Sequence, residues 1–206
     1  LILVNQHIKQ TNHRDRHHKS NSSRKYIHRP NLQKIDSDPG AANIKPIVEQ
    51  LKTNGRVTTN TLPTSRIIMM TQRALLVLTS HTELGHTGRG TGFYYDEMAA
   101  PYWTIRDLGW QITLASIAGG PGLPDPKTVV EPDKRPPNVA RFMADPAAMD
   151  QLETTLMADE VNGADYDCVF LPGGHGAMWD FDDNTVGQIV TDAWASGAVI
   201  GAVCHG

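Results

Sequence analysis

Three short stretches of this chain are apolar without interruption: residues 74–78, 168–171 and 198–203. A strand exposed on one face alternates apolar with polar residues, so an unbroken apolar run is expected where both faces are covered. Residues 110–117 read as a further strand, and each strand leads into a glycine-rich turn or loop. Helical patterns lie between them. Met98, Tyr102, Ile105 and Leu108 recur at helical spacing within residues 95–108, with Asp96 placed to cap the start, Pro101 either to bend the helix slightly or to mark its early turns, and Gly109 to end it. Residues 147–157 predict a second helix. Val186, Ile189, Val190, Ala193 and Trp194 share one face of a third, which Gly197 terminates. Residues 121–140 are rich in proline and lack periodicity, which predicts a long excursion. Strands alternating with helices make an α/β protein, a three-layer sandwich whose mainly parallel sheet collects ligands at the carboxyl ends of its strands.

Charge divides the chain. Residues 1–66 hold 12 Lys and Arg against 4 Asp and Glu, whereas residues 67–206 hold 7 against 18. The first stretch lacks apolar periodicity, so residues 1–69 are expected to be a disordered basic extension, or a gene-model artefact upstream of a start near Met70. A solvated arm for polyanions, built on His17, His18, Lys19, Arg24 and Lys25, is the other reading of it. Residues 70–206 then carry the folded domain, whose acidity argues against nucleic acid as a partner. Five of the nine histidines lie in the basic stretch without the paired spacing of a zinc site. His81 and His86 superficially suggest ligands, but Gly85 and a loop setting argue against ordered ligation, so neither metal nor cofactor is expected. Cys168 and Cys204 make no disulfide framework, and no apolar run reaches membrane-spanning or signal-peptide length. A soluble cytoplasmic protein without a membrane partner is expected.

The chemistry concentrates at the end of the last apolar run. Ala202-Val203-Cys204-His205-Gly206 places a cysteine on a small-x-Cys-x-Gly step directly after a strand, the cysteine form of a nucleophile elbow. The unpaired N–H groups of a helix starting there would lower the thiol pKa and yield a thiolate nucleophile. The alternative for Cys204 is a small buried cysteine at a strand end. Gly173 and Gly174 follow another strand, and their N–H groups, with that of His205, are candidates to hold a developing oxyanion; most Pro-Gly-Gly triplets are only turns.

Residues 171–180 (Leu-Pro-Gly-Gly-His-Gly-Ala-Met-Trp-Asp), together with residues 202–206, closely resemble the PfpI superfamily of class I glutamine amidotransferase-like proteins, nearest its glyoxalase III and heat-shock chaperone branch. Thr91 to Glu97 followed by Pro101 resembles that family's first loop and helix. The resemblance covers about residues 70–206 and implies a flavodoxin-like domain that continues beyond Gly206, so the present chain alone is expected to be unstable and inactive. It implies that Glu97 hydrogen-bonds the cysteine sulfur and shuttles a proton; without it, Glu97 reads equally as an acid favoured by a helix N-terminus. It implies a catalytic role for His205, whose alternative is a surface or packing residue. His175 is read as shaping its loop by hydrogen bonding. The implied activity is cofactor-free conversion of a small dicarbonyl, methylglyoxal to lactate, or removal of early glycation adducts, by a homodimer. The rivals are an amidase or peptidase, a holdase chaperone, for which Phe93, Tyr94, Tyr95 and Trp103 are candidate surface apolar residues, and redox sensing by Cys204.

Overall fold

A computed structural model describes residues 2–4, 33–34, 49 and 71–206. The described strands are β1 (Ile2–Val4), β2 (Gln33–Lys34), β3 (Arg73–Leu78), β4 (Gln111–Ser116), β5 (Leu156–Met157), β6 (Cys168–Leu171) and β7 (Val199–Ala202). They form one sheet in the order β2-β1-β7-β6-β3-β4-β5. The five strands from β7 to β5 are parallel, and β1 lies antiparallel along β7 with β2 antiparallel outside it. The helices are α1 (Tyr95–Arg106), α2 (Pro137–Ala144), α3 (Pro146–Glu153), α4 (Ala177–Asp180) and α5 (Asn184–Ser196).

The unbroken apolar runs have the cause their sequence implies. β3 is central, paired with β4 on one side and β6 on the other, and Ala74 to Leu78 are fully buried. Because successive side chains of a strand point to opposite faces, Ala74, Leu76 and Leu78 pack under α1, α2 and α3. Leu75 and Val77 pack on the other face with Val186, Ile189 and Ala193 of α5. The result is the three-layer α/β sandwich. α5 is bounded as its sequence indicates: Asp183 accepts the Thr185 N–H at its start, and Gly197, in the left-handed region at φ 86, ends it.

Local details differ from the sequence reading. Asp96 is not a cap; Tyr94 holds that position with no side-chain cap bond. Asp96 lies inside the first turn of α1, and burial pushes its carboxyl above the usual range. α1 runs unbroken through Pro101 but ends at Arg106. The excursion expected over residues 121–140 already contains the start of α2, whose Val139 and Phe142 are buried in the core. The second helix expected over residues 147–157 is α3, which stops at Glu153, and Leu156–Met157 pair with β4 as an edge strand instead. Of the four aromatics considered for a surface patch, Phe93, Tyr95 and Trp103 are core residues and only Tyr94 is exposed. Most of residues 1–69, expected as a disordered extension, lies outside the described residues; within it, Ile2–Val4 and Gln33–Lys34 extend the sheet beyond β7.

Candidate active site

The carboxyl ends of β3, β6 and β7 lie side by side, and the start of α1 closes over them. β7 leaves the sheet through Val203, whose N–H donates to Leu171 O at 3.2 Å, and turns at Cys204. Cys204 has φ 59 and is the only non-glycine residue in the left-handed region among the described residues. For a residue with a side chain that conformation costs on the order of 1–3 kcal/mol and persists only where its surroundings impose it. The Gly206 N–H donates to Val203 O at 2.9 Å and closes the turn. The thiol is thereby lifted from the sheet: Cys204 is exposed, whereas Cys168, inside β6, is fully buried with its thiol pushed up to about 12 by desolvation.

Three groups surround the Cys204 sulfur. The backbone N–H groups of Gly174 and His205 lie where they lower the thiol pKa, and the Glu97 carboxyl lies where it raises it. The His205 ring adds a fourth contact, with Nδ1 at 3.1 Å from Sγ. Glu97 Oε2 also accepts the Gly173 N–H at 3.1 Å. Gly173 therefore gives its amide to the carboxylate, and it is the amides of Gly174 and His205 that reach the sulfur. Both glycines are required by space. A Cβ on Gly173 would lie 2.6 Å from the Cys204 Cβ and 2.7 Å from Glu97 Oε2. Gly174 has φ +116, and a Cβ there would lie 2.3 Å from Gly92 O.

The electrostatics of the site couple the thiol to the carboxyl beside it. The Cys204 thiol is held above its ordinary value, first by desolvation and next by the charge of Glu97, while the Gly174 and His205 amides pull it down. The Glu97 carboxyl is also raised, chiefly by burial, against the lowering effect of its bonds to Cys204 and Gly173. A thiol and a carboxyl compete for a proton in a half-buried site, so each stays protonated to higher pH than it would in water.

His175 presents an exposed ring to His205, with centroids 5.1 Å apart, rather than bonding its own loop through the side chain. On the far side of the same loop, Asp180 Oδ1 accepts the Thr79 hydroxyl at 2.7 Å, and Oδ2 accepts the Ser80 and His81 N–H groups at 2.7 and 3.1 Å. His81 Nε2 lies 2.5 Å from Glu83 O, and its ring stacks on Trp179. Among the described residues no group of three or more His, Cys, Asp or Glu side chains is arranged to hold a metal ion. Cys204, Glu97 and the paired glycines were visible in the sequence as motif positions. The Thr79 and Asp180 contact was not, because a carboxylate closing a loop onto a strand 100 residues earlier leaves no local spacing to read.

A model of the DJ-1/PfpI family matches residues 91–206, more than half of the chain, including Glu97, Gly173, Gly174 and Cys204. The chain belongs to the DJ-1/PfpI family. Among curated members, it is 31% identical over 143 residues to a probable glutathione-independent glyoxalase, SNO4, of Saccharomyces cerevisiae, covering 67% of this chain and 59% of that protein. It is 31% identical over 140 residues to glyoxalase 3 of Candida albicans, covering 65% and 58%. The chain therefore spans somewhat under two thirds of the length of the curated relatives it matches. Among solved family structures, glyoxalase III from Candida albicans superposes with a TM-score of 0.58 at 31% identity, over 66% of this chain and 57% of that one. The rapid encystment protein of 24 kDa from Francisella tularensis superposes with a TM-score of 0.60 at 34% identity, over 65% and 59%.

Proposed function

We propose that this chain carries the thiol site of a glutathione-independent glyoxalase, converting a small dicarbonyl such as methylglyoxal to a hydroxy acid. The observation that supports it most is the Cys204 sulfur held between the Glu97 carboxyl and the amides of Gly174 and His205. The names of its relatives point to the same substrate class. Glu97 takes the thiol proton as Cys204 Sγ attacks the aldehyde carbon. A C–S bond forms, and the carbonyl electron pair moves to oxygen, where the Gly174 and His205 amides stabilise it. Protonation of that oxygen gives a hemithioacetal.

The hydrogen on the former aldehyde carbon then leaves as a proton, taken by Glu97 with the His205 imidazole as the second base in reach, to give an enediolate. Return of a proton to the neighbouring carbon produces a thioester of the 2-hydroxy acid. Water cleaves it, releasing lactate and the thiol. One carbon is oxidised and its neighbour reduced, so no external electron carrier takes part. Glutathione is unnecessary because Cys204 supplies the thiol. Release of early glycation adducts would use the same residues. Action as a cytoplasmic homodimer belongs to the same proposal and rests on the family resemblance; sedimentation of the native protein at twice its chain mass is the expected reading. The function is tested by lactate formed from methylglyoxal without glutathione, against ammonia released from glutamine, which an amidase would produce.

A further inference from the structure

We propose that Asp180 is a positioning residue for the reactive thiol, fixing the Gly174 amide against Cys204 by tying the loop that carries it to the end of β3. The inference rests on reading Cys204 as the reacting group. The segment between β6 and α4 is anchored at its start by the sheet and by two backbone links to the α1 side: the Tyr94 N–H donates to Gly173 O at 2.9 Å, and the Gly176 N–H donates to Gly92 O at 3.4 Å. Its other end rests on Asp180. Both carboxylate oxygens of Asp180 are taken by the strand exit of β3, one by the fully buried Thr79 hydroxyl and the other by the Ser80 and His81 amides. The Thr79 hydroxyl also accepts the His81 N–H at 3.0 Å, so it both donates and accepts at this contact. Trp179, next to Asp180, lies parallel to the His81 ring with centroids 4.8 Å apart and closes the same contact from outside.

Hydrogen bonds to an ionised carboxylate are roughly twice as strong as neutral ones. Three of them on one side chain hold α4 in register with β3, and Gly174 lies only six residues before Asp180. Without the carboxylate, α4 keeps its backbone turn but loses its link to β3, and the Gly174 amide drifts from the sulfur. The consequence is read at Cys204, not at Asp180.

The measurement is the pH profile of Cys204 alkylation by iodoacetamide, resolved by mass spectrometry, in the native protein and in Asp180→Ala and Asp180→Asn. Cys168, fully buried, serves as the internal reporter of an intact fold, since it stays unmodified while the fold holds. Loss of one amide hydrogen bond to the thiolate is expected to move the Ala profile to higher pH and to slow alkylation at pH 7 about tenfold. Asp180→Asn keeps an oxygen for the Ser80 and His81 amides and offers its NH2 to the Thr79 hydroxyl, so its profile is expected near the native one. An unchanged profile in Asp180→Ala, or an Asn profile shifted as far as that of Ala, overturns the proposal. Should Ala fail to fold, Thr79→Val removes one of the three bonds and is expected to shift the profile in the same direction by about threefold; no shift there also overturns it. Methylglyoxal turnover on the same samples separates this inference from the function. A shifted Ala profile in a protein that forms no lactate leaves the positioning role standing and removes the glyoxalase reading. Equal lactate formation by native and Asp180→Ala protein does the reverse.

Discussion

At the scale of single residues, the site sets a carboxyl beside a thiol. Glu97 and Cys204 are each held above their ordinary pKa, both first by burial, and the thiol further by the carboxylate beside it. Replacing Glu97 by Gln removes that negative charge and leaves an amide able to donate to the sulfur. The thiol pKa then falls, so Cys204 in Glu97→Gln is expected to alkylate faster than native at neutral pH while lactate formation drops by two orders of magnitude or more, on the order of general acid-base contributions. Reactivity and turnover moving in opposite directions is the signature, and both falling together would contradict it. Stability follows the same sign. A carboxyl raised on folding favours the folded state fully below its unfolded pKa, and that contribution is lost as pH rises through the folded value. Glu97→Gln is therefore expected to melt higher than native at pH 7, with the difference shrinking as pH falls toward 4, measured by thermal denaturation. Gly174→Ala tests space instead of charge. With φ +116 and Gly92 O in the path of any Cβ, it is expected to lose thiol reactivity and melting temperature together.

At the scale of elements, strands were more legible than helices. The runs that became β3, β6 and β7 are unbroken because each strand is covered on both faces, a cause that acts within a few residues and so shows in the sequence. α2 escaped because only Val139 and Phe142 of its eight residues are buried, too few to establish a period amid the prolines around them. Asp96 differs for a related reason: an acid near a helix start fits a cap by type, and only the backbone shows that the cap is Tyr94, two residues earlier. Yet α2 is not peripheral. Phe142 meets Tyr95, Tyr102 and Trp103 edge-on, joining α2 to the helix that carries Glu97. Phe142→Ala is expected to lower unfolding stability by about 3–5 kcal/mol, read by urea denaturation, with Cys204 alkylation in the folded protein little changed. A loss well under 1 kcal/mol would mean that α2 does not pack as described.

At the scale of the whole molecule, the order of strands determines where chemistry can occur. Parallel strands β3, β6 and β7 end on one edge, and the loops leaving them bring together residues from positions 79–81, 173–180 and 203–206, with α1 closing over the top. That convergence follows from the alternation of strands and helices, which the sequence displays. The partners across it depend on the register between strands, which the sequence does not display. Family membership is established by the match over residues 91–206. The most direct test is lactate production from methylglyoxal, in the absence of glutathione, by the full-length protein that carries this chain, compared with its Cys204→Ser variant. The account predicts lactate from the native protein and its loss, by at least about two orders of magnitude, in the variant. Lactate formed equally by both, or ammonia released from glutamine with no dicarbonyl consumed, would contradict it.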